Sequence, residues 1–457
     1  TDSLTACSFN SSGKVLKVGS AASRNSSYRT PLTSTMHDRT GTGCGIVRFG
    51  ILSLTTLFLA FIMSGGIAYN ASFVSMMVSL DEMKKLTNDS AFMAAYQEDQ
   101  ESRPLAERRF VFTTMEKSLT FAGTFTGAML AAQPVNVVLM RYGPRHTMTV
   151  LGLLAAFQVA ITPLVVEVSL VGFVILRLLQ GITLSNLFAA IGYTVNAWAP
   201  ATEKGIFIAV LFGYVELSPL MTMPISGVIA HSYGWPAVFY AHGIACFAVT
   251  IAWFAFYRNQ PQDHPLIGLS EIKKILSGKQ LALAPPTRKE VPILAIMATP
   301  AILASWGCVF GIFLLSQFAI SFSTIYISYA LGYSAQTAGV LSMGPLSALL
   351  AVKFCAGMLS DRLRVSEVLK LRVFNSLAMY GVSACFIARF LIPQQHNFVD
   401  LLLMVLPIGL YGFHAAGYPK GIVLISKQHS PFVMSVVQMI ACLSMMTGSF
   451  LVPMLTE

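Results

Sequence analysis

The sequence predicts an all-α protein, a polytopic bundle of membrane-spanning helices. Hydrophobic residues make up 55% of its 457 residues and charged residues only 11%, whereas soluble domains average about 25% charged residues. The mean hydropathy is +0.67. So few charges cannot cover the surface of a soluble chain of this length. The composition also excludes disordered, collagen-like and disulfide-rich secreted proteins.

Eleven apolar segments are long enough to cross a bilayer, which takes about 20 mostly apolar residues. They lie at 48–78, 112–139, 147–167, 169–197, 206–230, 236–256, 294–328, 337–359, 373–393, 399–425 and 432–454. The longest interior polar stretch, 257–291, separates six of these segments from five. An even division would need a twelfth segment, so we expect the C-terminus to be truncated.

These segments divide the chain into four parts. Residues 1–45 are rich in Ser, Thr and Gly with scattered Lys and Arg, and are predicted to form a disordered cytoplasmic tail. Residues 46–256 are predicted to form a six-helix half and 257–291 a cytoplasmic linker. Residues 292–457 are predicted to form a second half in which five helices are present.

Lysine and arginine are concentrated in the even-numbered connections between segments, whereas the first connection, 79–111, is acidic overall. Basic loops remain in the cytoplasm, so the N-terminus is predicted to be cytoplasmic. The net charge of +10 is therefore attributed to topology and not to a nucleic-acid partner. Asn88 begins an Asn-Asp-Ser sequon in the first external loop, where glycosylation is expected.

Two charged residues lie well inside predicted spans, where an ionisable group is costly and hence a functional candidate. Arg177 stays protonated, and its guanidinium can form two parallel hydrogen bonds with a carboxylate or phosphate. Alternatively, Arg177 has a structural role and holds neighbouring helices together. Glu216 is predicted to couple transport to protons, since a carboxyl can exchange them. Alternatively, Glu216 permanently neutralises Arg177 or lies at an interface.

Other residues within the spans are less deeply placed or have ordinary explanations. Lys353 lies about two helical turns from the end of its span, so its ammonium is expected to reach the cytoplasmic surface. His414 is a second coupling candidate, or else a hydrogen-bonded packing residue. Pro219 and Pro224 are predicted to kink the fifth span.

Basic motifs follow the second and the eighth segments at corresponding positions, which indicates two parallel repeats. Arg141 and Arg145 belong to the first motif, and Asp361 and Arg362 to the second. An acid at a helix end beside basic residues favours a charge latch between helices. These four residues are therefore predicted to gate the cytoplasmic side.

Several chemistries are absent from the sequence. The seven cysteines show no CxxC and no metal-ligand spacing. No GxSxG, HExxH or nucleotide-binding GxxxxGK[ST] motif occurs. The sequence therefore predicts no metal site, no cofactor and no enzymatic activity.

Runs of residues in both halves carry a family resemblance. In the first half they are Arg177-Leu178-Leu179-Gln180-Gly181, Trp198-Ala199-Pro200 with Glu203 and Lys204, Met223-Pro224-Ile225-Ser226-Gly227, Gly234 to Tyr240, and Asp263 to Ile267 with Glu271. In the second half they are Leu359-Ser360-Asp361-Arg362, Gly412-Phe413 with Gly417, Gly448 and Pro453. Over roughly residues 46–457, the chain resembles the anion:cation symporter branch of the major facilitator superfamily. That branch contains sodium-phosphate cotransporters, sialin and vesicular glutamate transporters.

The resemblance implies a major facilitator fold of two six-helix halves around a central cavity that opens alternately to each side. Such proteins move organic anions or phosphate with protons, sodium or the membrane potential. Arg177 matches the family's fourth-helix arginine, which is implicated in anion recognition. Gln180 in the same run and Tyr214 are predicted to be further substrate contacts.

The chain also departs from the family pattern. Leu184 stands where members with glutamate or sialate activity often carry an acid, and Met140 where the first-half cytoplasmic motif usually has one. The seventh-helix arginine and second-helix histidine of the glutamate carriers are absent, with Ile312 and Ala122 near their places. Glutamate is therefore not the expected substrate, and Glu216 is the candidate to replace the missing acid.

We therefore expect a secondary transporter of a small organic anion or phosphate, with H⁺ or Na⁺ as the coupling ion. It would act as a monomer in the bilayer of the plasma membrane or of a lysosomal or vesicular membrane. The alternative is a membrane receptor or scaffold that kept the bundle and lost transport.

Overall fold

A computed structural model describes residues 45–76, 96, 98–277, 292–317, 335–391 and 405–456. Almost all of the predicted tail at 1–45 lies outside these residues, as does Asn88 with its predicted glycosylation. The second part of the apolar segment 294–328 also lies outside them.

The described residues fold into helices, several of them long enough to cross a bilayer. The helices are α1 (Val47–Met76), α2 (Thr114–Val168), α3 (Leu170–Leu184), α4 (Leu187–Trp198), α5 (Lys204–Phe212), α6 (Tyr214–Tyr233), α7 (Trp235–Phe256), α8 (Leu269–Leu276), α9 (Ile293–Met297), α10 (Pro300–Gln317), α11 (Ala335–Arg362), α12 (Glu367–Leu391), α13 (Tyr418–Ser426) and α14 (Ser430–Thr456). Within the described part, eight helical stretches have the length and hydropathy of a membrane span, and Pro300–Ser316 is a shorter apolar helix. The all-α membrane fold is thus confirmed.

The structure shows eight long helical stretches where the sequence predicted eleven segments, partly because two adjacent predicted segments form one helix. Segments 112–139 and 147–167 both fall in α2, which changes direction at Gly143, where φ is +77°. A side chain at Gly143 would clash with that of Asn259, whose Oδ1 accepts a hydrogen bond from the Arg145 amide at 3.0 Å. Only glycine combines this backbone conformation with so close a neighbour.

The tenth predicted segment, 399–425, is not one continuous helix where it is described. Helical residues 405–411 lead into a 3₁₀ turn, Gly412–Ala416, and α13 begins after Gly417. Asn375 of α12 accepts from the Tyr418 amide at 3.1 Å. Broken helices at membrane depth occur where protein or a polar cavity surrounds the backbone.

The fifth predicted segment is divided between α5 and α6, which adjoin at Gly213. Gly213 has a right-handed helical backbone and hydrogen bonds to the turns on both sides, so the chain continues as a helix there. Pro219 and Pro224 lie inside α6, and kinks at these prolines stay a prediction. Glu216 lies in the first turn of α6.

We call the end of the bundle at which α1 begins the amino face. The ends of α4, α7 and α11 also lie there. Trp198 at the end of α4 donates to the Arg258 carbonyl, just after α7, at 3.0 Å. Asp361 at the end of α11 accepts from the start of α5. This face corresponds to the side that the loop charges predict to be cytoplasmic.

A buried ionic cluster joins three elements at the amino face. Arg48 of α1 bridges Glu203 at 2.8 Å and Glu271 of α8 at 3.2 Å. Its amide also donates to Glu271 at 3.0 Å, and Lys274 contacts Glu203 at 2.6 Å. The linker helix α8 is therefore fixed to the first half. Glu203 and Glu271 both belong to the runs that carried the family resemblance.

We predict that Arg48→Met destabilises the protein by about 3–5 kcal/mol, because the substitution leaves the buried Glu271 carboxylate without its cation. Thermal unfolding of the purified protein in detergent measures the effect.

Arg103→Met is the matched control, since Arg103 pairs with Asp99 on the surface at 2.8 Å. Exposed pairs contribute about 0–1 kcal/mol. Equal stability losses in the two variants would contradict a structural role for the Arg48 cluster.

Candidate functional site

The two halves come close together where α5 runs beside α11. A Cβ on Gly357 of α11 would lie 2.6 Å from the Ala209 Cβ and 3.0 Å from the Gly205 carbonyl oxygen. A Cβ on Gly213 would lie 3.1 Å from side-chain atoms of Leu350 and Phe354 of α11. Small residues at such a contact let helix backbones come close together. We call this contact the α5–α11 seam.

Asp361 closes the seam at the amino face. Its carboxylate accepts from the amides of Gly205 at 3.0 Å and Ile206 at 2.8 Å, in the first turn of α5. The first amides of a helix have no partner within the helix, and the helix dipole favours an anion there. The buried Lys420 adds its ammonium at 3.3 Å from Asp361 and 3.1 Å from Glu367. Asp361 thus connects the second half to the first.

The other three residues that were predicted to form the gate are placed differently. Arg362 and Arg141 are exposed, and the Arg141 guanidinium lies 5.5 Å from the Tyr142 ring centroid. Arg145 donates to the Phe254 carbonyl at 3.0 and 3.1 Å and lies over the Phe254 ring. Arg145 therefore contacts α7 of its own half, and a gating role for these three arginines stays a prediction.

Next to the α5–α11 seam, a buried ion pair joins α6 to α11. The Lys353 Nζ lies 2.5 Å from the Glu216 Oε2, and the two side chains are 1% and 4% exposed. Lys353 also donates to the Phe212 carbonyl at 3.4 Å. The expectation that Lys353 reaches the membrane surface is wrong, because α11 lies against α5 and α6 and Glu216 supplies an anion inside the bundle.

A small cavity adjoins Glu216. Its volume of about 20 Å³ suits water and not an organic anion, because one water needs about 10–15 Å³. The lining residues are Glu216, Leu315, Ser316, Leu346, Leu349, Val382, Phe386, Pro407, Ile408 and Tyr411. The Ser316 and Tyr411 hydroxyls are 2.7 Å apart and hydrogen-bonded.

His414, predicted to couple, lies in the broken helix beside this cavity wall. Its Nδ1 donates to the Tyr411 carbonyl at 2.6 Å. Its ring stacks on Tyr411 with centroids 4.3 Å apart and lies 5.9 Å from the Tyr418 ring. The imidazole is therefore fixed in a buried aromatic stack within the second half.

Arg177 is buried with neutral partners. Its Nε donates to the Thr120 carbonyl at 3.0 Å, and its Nη1 to the Gln180 Oε1 at 2.8 Å. Its guanidinium lies 4.4 Å from the centroid of the Tyr69 ring. Among the described residues no carboxylate forms an ion pair with Arg177, so the suggestion that Glu216 neutralises it is wrong. Gln180 in turn donates to Thr162 at 3.1 Å.

Arg177 does not line the small cavity, and it is only 3% exposed. Tyr214, the third predicted substrate contact, is also buried and packs its ring 6.2 Å from that of Phe188. Phe188 in turn lies 5.6 Å from Phe313 of the second half. The halves are thus in contact near Tyr214.

Sequence reasoning missed three contributors to these contacts. Lys353 and Lys420 were recognisable as cations in apolar surroundings, but their acidic partners come from distant parts of the chain. Tyr69 offers no such signal, since an aromatic residue in an apolar span is usually a packing residue. Its ring faces Arg177 only because α1, α2 and α3 meet there.

Comparisons with known proteins agree with this architecture. The model of the Major Facilitator Superfamily matches residues 54–449. Among solved structures, the proton:xylose symporter XylE superimposes with a TM-score of 0.61 at 15% identity, covering 90% of this chain and 88% of that chain. The E. coli fucose:proton symporter FucP gives a TM-score of 0.56 at 12% identity, covering 89% and 90% of the two chains.

Relatives by sequence include transporters with named substrates. Mouse sodium-dependent phosphate transport protein 3 is 23% identical over 72% of this chain and 69% of its own length. Rabbit sodium-dependent phosphate transport protein 1 is 26% identical over 57% and 56% of the two chains. Sheep sialin is 23% identical over 73% and 67%. The resemblance inferred from the motifs is confirmed.

We predict that Lys353→Met destabilises the protein by about 3–5 kcal/mol, because it leaves a buried, unpaired carboxylate. The double variant Glu216→Gln/Lys353→Met should lose much less, since it removes both charges. Thermal unfolding in detergent, arranged as a double-mutant cycle, measures the interaction.

Lys274→Met serves as the control, because Lys274 is half exposed and its bridge to Glu203 lies at the surface. If the stability losses of the single substitutions at Glu216 and Lys353 add up to the loss of the double variant, the two residues do not interact energetically.

Proposed function

Since the chain belongs to the Major Facilitator Superfamily, we propose that it is a secondary transporter of a small organic anion or phosphate. The two halves alternate between conformations open to either side of the membrane, and H⁺ or Na⁺ is the coupling ion. The relatives named for sodium-dependent phosphate transport and as sialin support an anionic substrate.

The observation that carries the proposal is the unbalanced charge of Arg177. Away from the ends of the membrane spans, the described spans contain one acid, Glu216, and it is paired with Lys353. Arg177 is left with a carbonyl, an amide and an aromatic ring as partners. A buried cation is stabilised by an opposite charge, so an anion that enters this site gains a partner already held in place. Gln180 orients the guanidinium, and Tyr214 is proposed as a further substrate contact.

The proposed cycle follows from where the halves touch. In this conformation the Asp361 contacts and those of Asn196 with Lys427 and Ser430 join the halves at the amino face. We assign this face to the cytoplasm, as the loop charges predict. Substrate then reaches Arg177 from the cytoplasm only after these contacts separate. Glu216 and His414, on either side of the interface between the halves, are the proposed coupling residues.

An uptake screen in proteoliposomes tests the proposal. The panel is phosphate, sialate, glutamate, urate and hexuronates, each with and without a sodium gradient and a pH gradient. Concentrative uptake of at least one anion is expected. Absence of uptake and of counterflow for the panel would favour the receptor or scaffold alternative.

We predict that Arg177→Ala abolishes uptake while surface expression is kept, because the variant removes the cation that the anion needs. Arg177→Lys should retain weak uptake, since a lysine keeps the charge but not the forked geometry. Initial uptake rates, normalised to protein at the membrane, measure the effect.

Arg364→Ala is the matched control, because Arg364 is an exposed arginine at the amino face. Normal uptake by Arg177→Ala would remove this residue from the mechanism.

We predict that Asp361→Asn slows turnover with little change in apparent affinity. It weakens two charge-assisted hydrogen bonds to α5, each worth about 1.5–3 kcal/mol, so the closed amino face is populated about ten- to a hundredfold less. Uptake kinetics give the maximal rate and the half-saturating concentration. A rate equal to that of the wild type would show that the Asp361 contacts do not control closure.

A further inference from the structure

We propose that the coupling ion is a proton and that it binds the Glu216 carboxylate in competition with the Lys353 ammonium. The inference rests on the proposed transport function and specifies its ion and its site. It assigns to Lys353 a positioning role: the lysine holds the unprotonated carboxylate and joins the two halves.

The Glu216–Lys353 pair connects the two halves. Glu216 belongs to α6 of the first half and Lys353 to α11 of the second, with 2.5 Å between Oε2 and Nζ. A movement that separates α6 from α11 therefore pulls two buried charges apart. Leaving either charge unpaired in the interior is strongly unfavourable. Neutralising Glu216 with a proton removes one of these charges before the halves part.

The oxygen atoms near Glu216 limit which ion can bind there. Sodium, like other hard cations, is bound by several oxygen atoms at once. The cavity beside Glu216 offers the hydroxyls of Ser316 and Tyr411, which are bonded to each other and to the Ile312 carbonyl. Lys353 already occupies the Glu216 Oε2. A proton needs a single oxygen atom, so this site suits a proton and not sodium.

The cavity beside Glu216 offers a route for a proton. It is large enough for a water molecule, and water can deliver or remove a proton. Glu216 is also the one acid away from the ends of the membrane spans in the described part of the chain. A proton that crosses this part of the bundle has no second carboxyl there to use.

The other titratable groups around the Glu216–Lys353 pair do not change which two cations compete for the carboxylate, the proton and the lysine ammonium. The charge of Glu216 acts on the phenols of Tyr214, Tyr411 and Tyr418, and that of Lys353 acts on His414. From α1, the Ala60 carbonyl accepts from Ser218, and His242 of α7 bonds Ser226 further along α6. Lys353 is thus the cation that faces the carboxylate.

The step is a simple transfer of one proton. A proton from water on one side binds the Glu216 Oε2, and the contact from the Lys353 N–H to that oxygen is lost. Lys353 keeps all its protons, and its contact with the Phe212 carbonyl of α5 is also lost when the halves part. The halves then separate, and the proton leaves to water on the other side when the pair forms again.

Transport of inorganic [³²P]phosphate in proteoliposomes is the first test, with the wild type, Glu216→Gln and the control Glu167→Gln. Glu167 is a partly exposed acid paired with Arg108. The wild type and the control should accumulate phosphate under a pH gradient, up to about tenfold per pH unit for one proton at zero membrane potential. Glu216→Gln should exchange phosphate across the membrane but accumulate none.

The second test needs no substrate and covers the case in which phosphate is not carried. Spin labels at His146→Cys and Arg364→Cys, both exposed at the amino face, report the distance between the halves after replacement of native cysteines. In the otherwise unmodified protein the distance should increase when the pH falls from about 8 to about 5. Glu216→Gln and Glu216→Gln/Lys353→Met should give distances that do not depend on pH. The double variant leaves no unpaired buried charge, so it keeps the test valid if the single variant misfolds.

The outcomes separate this inference from the proposed function. A distance that does not respond to pH in the wild type, or one that still responds in Glu216→Gln, overturns the inference. Accumulation driven by sodium without a pH gradient also overturns it, although transport itself then stands. Failure of the wild type to move any anion in the wider screen contradicts the proposed function instead.

Discussion

The close approach of α5 and α6 to α11 is the constraint on which the rest of the site depends. Glycine at positions 205, 213 and 357 leaves space for the two backbones to come together. Because they do, a lysine from one half reaches a carboxylate from the other, and an aspartate at the end of α11 reaches the first amides of α5. Larger residues at these positions would separate both polar contacts at once.

Two buried cations of the bundle differ in how their charge is balanced. Lys353 is paired with Glu216, whereas among the described residues no carboxylate forms an ion pair with Arg177. The Glu216–Lys353 pair connects the two halves, and we propose that it responds to a proton. Arg177 lies within the first half, among α1, α2 and α3, and is the proposed partner of a negatively charged ligand.

Much of the fold could be predicted from the sequence, because hydropathy and helix length determine which segments cross a membrane. The unusual depth of Arg177 and Glu216 was evident for the same reason. The partners of these residues could not be predicted, since Glu216 and Lys353 are 137 positions apart and no local pattern relates them.

The ionic cluster around Arg48 has a consequence for how the halves are connected. It secures α8 to α1, so the beginning of the segment that joins the halves is held by the first half. Any rigid movement of α1 must therefore carry Leu269–Leu276 with it.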